Sequence, residues 1–146
     1  MPVTLDRLSD PSTLGPVGHA RLATEILSTY VSVRRELPKG PILETVGELR
    51  PGSVHASQPA DQQTVYPAAR RLGDAVLRTL PLLPTDTRCL VRSLVLTRML
   101  ARRGIASTLV IGVRTEPSFL AHAWVEHSGR ALLPGHQGTF RRLAEL

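Results

Sequence analysis

The sequence predicts an α+β fold in which N-terminal helices precede an antiparallel β-sheet. Apolar residues recur at helical spacing over residues 17–37 and 66–83. After Gly104 the period changes, and the apolar runs become short, β-branched and bounded by turn residues. Helices followed by successive short strands are typical of α+β domains.

Composition argues against two classes of protein, those that bind nucleic acid and those that span a membrane. An apolar fraction of 42% in 146 residues is enough for a hydrophobic core. The net charge is +6, but the basic residues are scattered and aromatic residues are only 3%, so we expect no nucleic-acid binding. No apolar run approaches the roughly 20 residues of a membrane-spanning helix, and Met1–Asp10 does not resemble a secretory signal. We therefore expect no membrane span and a soluble cytoplasmic protein.

The first 64 residues are less regular than the rest. Met1–Gly15 is polar and interrupted by proline, which predicts a loose arm. The stretch Pro41–Leu49 predicts a short, weakly patterned helix that follows the one over residues 17–37. Arg50–Thr64 is rich in Pro, Gly, Ser and Gln, and it predicts a loop or linker. We divide the chain into an N-terminal region, residues 1–64, with arm, helices and loop, and a core, residues 65–146.

A largely buried helix is predicted to begin at or near Cys89. Thr85, Asp86 or Thr87 could each cap it by accepting a backbone N–H. The residues that follow are mostly apolar and leave only a narrow polar stripe, which is the pattern of a helix covered on most sides. Gly104 suits the left-handed position just after a helix end.

Short strands are predicted downstream. Thr108–Val113 is nearly continuous and β-branched, as expected of a central strand. Leu120–His127 predicts a second strand, and Ser128-Gly129 predicts a hairpin turn into Arg130–Leu133. Phe140–Leu146 could form a further strand or lie across an edge of the sheet.

The only cysteine of the chain has two interpretations. A thiol at a helix N-terminus faces unpaired N–H groups and the positive end of the helix dipole, which favour the thiolate and can bind a developing oxyanion. His122, early on the second strand, would then serve as the base. Alternatively, Cys89 is a small buried hydrophobe and His122 a core histidine, which is the more common situation for a free cysteine. One cysteine with no others nearby is a poor metal site, so we predict neither metal nor cofactor.

Several stretches together carry a family resemblance. They are, in order, Cys89–Leu96 (CLVRSLVL), Arg102–Ile105 (RRGI), Leu109–Arg114 (LVIGVR), Ala121–Glu126 (AHAWVE) and Gly129. In order and spacing they resemble the transglutaminase-like cysteine peptidases that process lasso-peptide precursors. The helical stretch over residues 66–83 resembles the lead-in helix of that family, whereas residues 1–64 match only as a generic helical region.

The resemblance implies a fold and a reaction. The fold is the papain/transglutaminase-like core, in which a helix carrying the nucleophile packs on an antiparallel β-meander carrying the histidine. The reaction is removal of the leader from a ribosomally made precursor, with Cys89 forming an acyl-enzyme and His122 acting as general base and then acid. The resemblance further implies a split system, in which a small recognition protein delivers the leader and an ATP-dependent macrolactam cyclase acts on the released core peptide.

The chain departs from the family pattern at the third member of the triad. The family supplies an acid on the strand after the hairpin, but there is none here between Arg130 and Phe140. An amide can also orient an imidazole, so Gln137 is our first substitute and His136 the second. Glu126 lies about 13 Å from His122 along the same strand and cannot reach it, so we interpret it as a structural or partner-facing charge.

Other residues near this motif have open roles. Arg92 and Ser93 either contact substrate or face solvent, and Trp124 either forms a wall of the site or packs in the core. We interpret three further polar residues as ordinary surface positions: Arg114, His127 and Arg130. Two functions of other classes stay open. One is a non-catalytic homologue that binds peptide or scaffolds other proteins, and the other is an acyl transferase of the transglutaminase type.

Overall fold

The predicted α+β architecture is confirmed by a computed structural model, which describes residues 15–37, 59–83, 89–133 and 140–146. Within these ranges, three α-helices are followed by a four-stranded antiparallel sheet. The helices are α1 (Pro16–Glu36), α2 (Pro59–Thr79), which continues as a 3₁₀ turn (Leu80–Leu82), and α3 (Cys89–Arg102). The strands are β1 (Thr108–Arg114), β2 (Leu120–His127), β3 (Arg130–Ala131) and β4 (Arg141–Glu145).

The helix bounds agree with the sequence except at the start of α2. The loop predicted over Arg50–Thr64 is wrong for residues 59–64, because α2 already begins at Pro59. Proline fits the first turn of a helix, where its missing N–H would have no partner in any case. The predicted arm, the predicted helix over Pro41–Leu49 and the capping candidates before Cys89 lie outside the described residues, so they stay predictions.

The sheet has the strand order β3-β2-β1-β4. Strand β1 pairs with β2 from Thr108↔Glu126 to Arg114↔Leu120, which sets Gly112 opposite His122. Strand β4 pairs with the other edge of β1, so the open question about the final stretch is answered in favour of a strand. The meander is therefore β1-β2-β3, and β4 returns to make β1 an inner strand.

The predicted hairpin turn joins β2 and β3. Ser128 and Gly129 have φ angles of 51° and 75°, and His127 pairs with Arg130 across them. Positive φ at both central residues is the requirement of a type I′ turn, whose twist matches that of the strands. Strand β3 is shorter than the predicted Arg130–Leu133, because the ladder ends at Ala131.

Helix α3 lies at the centre of the core. It contacts α1, α2 and the sheet, and Leu94, Leu96 and Leu100 on it are completely buried. Its end follows the predicted pattern: Gly104 has a φ of 70°, its N–H bonds to Ala101 O at 3.0 Å, and the N–H of Ile105 bonds to Leu100 O at 3.0 Å. This pair of bonds is a Schellman motif, which satisfies the last carbonyls of the helix.

Two arginines near the C-terminal end of α3, one on the helix and one just after it, form ion pairs with α1. Arg103 donates two hydrogen bonds of 2.7 Å to the Glu25 carboxylate, and Arg98 donates two of 3.0 Å to Glu36. Because the later residue of α1 pairs with the earlier residue of α3, the two helices run antiparallel. The described part of the N-terminal region therefore shares the core with α3.

Helix α2 packs against β3 of the β2–β3 hairpin. Tyr66 donates from its hydroxyl to Ala131 O at 2.8 Å, and the Arg130 guanidinium lies 3.9 Å above the Tyr66 ring. A side chain on Gly73 would approach Leu132 O to 2.8 Å, so the close packing of α2 on this segment requires glycine there. None of the helices in the described ranges is long and apolar enough to span a bilayer.

Candidate active site

Cys89 is the first residue of α3. Its thiol is free, and its half-buried side chain packs against the hydrophobic core. The first turn of a helix leaves N–H groups without intrahelical acceptors, and these point toward its N-terminal end. The prediction that a helix begins at or near Cys89 is confirmed.

Ser93 connects this end of α3 to the strand that carries His122. Its hydroxyl donates a hydrogen bond of 3.1 Å to Ala123 O, and the side chain is 0% exposed. Ser93 follows Cys89 by one helical turn, about 6 Å along the axis, and Ala123 is the neighbour of His122 in β2. The structure thus brings the Cys89 end of α3 beside the His122 end of β2. Complete burial leaves Ser93 neither solvent-facing nor open to a substrate.

His122 is the third residue of β2 and is half-buried. Burial lowers the pKa of its imidazole, because removal from water disfavours the charged form. Ala123 and Val125 belong to the core shared with α3, so by strand alternation His122 lies on the opposite face of β2 with Trp124 and Glu126. An imidazole held neutral near physiological pH is able to accept a proton from a thiol.

Two aromatic rings border the imidazole. The Trp124 ring centroid lies 6.0 Å from that of His122, with the planes inclined by 21°, and the Phe140 centroid lies 5.6 Å away. Trp124 is only 5% exposed and also contacts Phe140, at 6.2 Å between centroids. The Trp124 ring is therefore buried and also borders His122, while its role as a wall of a substrate site stays a prediction.

Glu126 has a structural role. It is 7% exposed and accepts hydrogen bonds from Trp124 Nε1 at 2.8 Å and from Arg142 Nη2 at 2.7 Å. Arg142 also donates to Glu145 Oε1 at 2.6 Å. The two carboxylates raise the pKa of the Arg142 guanidinium, with the hydrogen bond to Glu145 as the larger cause. Of the two interpretations of Glu126, the structural one is supported by these bonds.

The interpretation of His127 as a surface residue was wrong. It is 2% exposed, and its Nδ1–H donates to Ala106 O at 2.7 Å. The alternation of side chains along β2 would have predicted this burial, because His127 lies on the same face as Ala123 and Val125, which are buried in the core. Arg130 is exposed as expected, and Arg114 lies half-buried with its guanidinium 5.6 Å from the Phe140 ring centroid.

The remaining predicted site residues lie either outside the described residues or on α3. Gln137 and His136, the substitutes for the missing acid, lie outside the described residues. Arg92 is half-buried on α3, next to the buried Ser93.

Among the residues that the structure describes, no group of three His, Cys, Asp or Glu side chains could hold a metal ion. A cavity of about 500 Å³ lies between α1 and α2, and neither Cys89 nor His122 lines it.

A model of the transglutaminase-like superfamily matches residues 27–146. The chain belongs to the transglutaminase-like superfamily. The match begins within α1 and covers every later element, so the Cys89 helix, the His122 strand and β4 are all included. Membership of the transglutaminase-like superfamily indicates an activity of the cysteine-protease or acyltransferase type. No curated protein and no solved structure matches the chain.

Proposed function

We propose that this protein is a cysteine peptidase that removes the leader from a lasso-peptide precursor. The observation that carries the proposal is the Ser93–Ala123 hydrogen bond of 3.1 Å, which ties the helix beginning at Cys89 to the strand bearing His122. Superfamily membership supports the reaction class, and the AHAWVE and CLVRSLVL stretches support the substrate class by resemblance.

Ala123 faces α3 and His122 faces the other side of β2, so the imidazole would reach the thiol around the edge of this strand. Strand β3 pairs only with Glu126 and His127, so within the described residues the edge beside His122 has no strand partner. In this arrangement His122 takes the thiol proton, and the Cys89 sulfur attacks the scissile carbonyl. The N–H groups of the first turn of α3 stabilise the oxyanion. His122 then protonates the leaving amine, and a water molecule, deprotonated by His122, hydrolyses the acyl-enzyme.

The third member of the triad remains Gln137, with His136 as the second choice. A side-chain amide is able to hold the imidazole in one tautomer without carrying charge. Substrate contact by Arg92, and by the rim of Trp124, is proposed on position alone. The recognition protein that delivers the leader, the ATP-dependent cyclase that follows and a cytoplasmic location belong to the same proposal.

The test is a cleavage assay. The protein is incubated with a lasso precursor and its recognition protein, and the products are identified by mass spectrometry. We expect separated leader and core peptide with wild type, and no cleavage with Cys89→Ala or His122→Ala. The matched control is His19→Ala, which removes an exposed histidine on α1 and should cleave normally. An intact precursor with folded wild type and its partner present would refute the proposal.

Acyl transfer is the second candidate, because superfamily membership indicates an activity of either the protease type or the acyltransferase type. It uses the same acyl-enzyme but passes the acyl group to an amine instead of water. Adding a labelled primary amine to the cleavage assay separates the two, since a transferase yields a product that carries the label. A non-catalytic homologue would yield neither product, and its Cys89 would react with iodoacetamide at pH 6 no faster than a cysteine peptide does.

A further inference from the structure

The Trp124 ring occupies space that a side chain of β1 would otherwise fill. Gly112 lies directly opposite His122 in the sheet. A Cβ at Gly112 would lie 2.8 Å from Trp124 Cη2 and 2.9 Å from Cζ3, which is closer than carbon atoms approach. The six-membered end of the indole therefore rests on the bare backbone of β1, one strand away from the imidazole.

The other end of the same ring is held by a buried carboxylate. Trp124 Nε1 donates to Glu126 Oε1 at 2.8 Å, and Arg142 Nη2 donates to that same oxygen at 2.7 Å. Burying a carboxylate is costly unless it is paired and hydrogen-bonded, and here both conditions are met. The indole is thus fixed at both ends, by the backbone of β1 and by an anchored carboxylate.

This fixed ring is what His122 packs against. The two rings lie 6.0 Å apart and are inclined by 21°, whereas Phe140 meets the imidazole at 5.6 Å and 38°. A shift of the indole would remove one wall of the imidazole and admit water to it. The wall that the indole forms beside His122 is therefore held in place by the Glu126 carboxylate and by the backbone at Gly112.

We propose that Glu126 and Gly112 are positioning residues for His122, acting through the Trp124 ring. The inference rests on the proposed function for the role of His122 as base. It assigns to the described residues part of the orienting task that the acid of a triad performs.

A loss of positioning and a loss of nearby negative charge are expected to change the His122 pKa in opposite directions. The charged groups near this face within the described residues are Glu126, Arg142, Glu145 and Arg114. Loss of a nearby negative charge alone would lower the His122 pKa, because it no longer favours imidazolium. Release of the ring would instead raise that pKa toward its ordinary value, because the present lowering comes from burial.

The experiment is an NMR titration of the His122 ring in the full chain, together with the rate of Cys89 alkylation by iodoacetamide at pH 6. Glu126→Leu removes both charge and acceptor, while Glu126→Gln removes the charge but keeps an acceptor oxygen. Glu145→Leu is the matched control, since it takes a carboxylate from Arg142 without touching Trp124. Gly112→Ala crowds the Trp124 ring most closely, and Phe140 Cβ at 3.1 Å, with no change of charge. Gly15→Ala, whose Cβ would meet nothing, is its control.

We expect the His122 pKa to rise in Glu126→Leu and Gly112→Ala, with alkylation slowed about tenfold because the misplaced imidazole no longer supports the thiolate. In Glu126→Gln the His122 pKa should not rise, because loss of the charge can only lower it, and alkylation should stay close to wild type. Both controls should stay close to wild type in both measurements. Equal changes in Glu126→Leu and Glu126→Gln, or no change in Gly112→Ala, would overturn the proposal. If wild type leaves the precursor intact while this pattern appears, the proposed substrate fails and the positioning role stands. If wild type cleaves and the pattern is absent, only the positioning role fails.

Discussion

Ser93→Ala should loosen the contact between the Cys89 helix and the His122 strand, with only a small decrease in the free energy of unfolding. The substitution deletes a hydroxyl that is 0% exposed and that donates to Ala123 O at 3.1 Å. Loss of one buried hydrogen bond costs about 1–2 kcal/mol, and the better helix propensity of alanine returns up to about 0.5 kcal/mol. The expected net decrease in the free energy of unfolding is therefore about 1 kcal/mol.

The functional loss should be larger than that figure suggests. Without this bond, α3 is free to shift relative to β2, and a misplacement of reacting groups by a fraction of an ångström lowers rates steeply. We expect alkylation of Cys89 by iodoacetamide at pH 6, and cleavage of any substrate, to slow by about tenfold.

Thr97→Val is the matched control. Thr97 lies one turn further along α3 and is also buried, but its hydroxyl donates to Ser93 O at 2.8 Å within the same helix. Its removal should cost a similar free energy, about 1 kcal/mol, and slow alkylation by less than about twofold, since no contact with β2 is lost. Denaturant unfolding measures the first quantity and stopped-flow alkylation the second. Equal slowing in both variants would refute the role of the Ser93 bond.

Three further predictions concern stability. Breaking the Arg103–Glu25 pair, whose side chains are 20% and 30% exposed, should show a coupling of about 1–2 kcal/mol in a double-mutant cycle of unfolding. Gly104→Ala should lower the free energy of unfolding by about 1 kcal/mol, because φ there is 70°. Since burial lowers the folded-state pKa of His122, the unfolded chain binds its proton first, so stability should fall as pH drops below the ordinary histidine pKa. His122→Ala should flatten that part of a stability–pH curve.

Where local pattern and tertiary packing agree, the sequence was enough to predict the structure. The helix start at Cys89, the left-handed Gly104 and the strand Leu120–His127 all follow from periodicity and from turn or capping residues whose φ requirements are local. The pairing of β4 with β1 was left open, because strand order depends on contacts between residues far apart in the chain.

The candidate site was less predictable than the fold. Cys89 and His122 stand out as residue types, but the Ser93 bond and the Glu126–Trp124 bond depend on where side chains point after packing. A serine in a helix gives no sign of the strand it will face. Glu126 accepts a hydrogen bond from the Trp124 indole, and the proposed positioning of His122 acts through that ring.

The antiparallel pairing of α1 with α3 bears on how this protein could be divided or recombined. Ile26, Tyr30 and Val33 on α1 are buried in the core. Arg98 on α3 and Arg103 just after it pair with carboxylates of α1. A fragment beginning at residue 65 would expose that apolar surface and leave two guanidinium groups unneutralised. Helix α1, which lies in the region that resembles the family only as generic helix, is thus part of the core, and grafting the Cys89–His122 unit onto another scaffold would require α1 to be transferred with it.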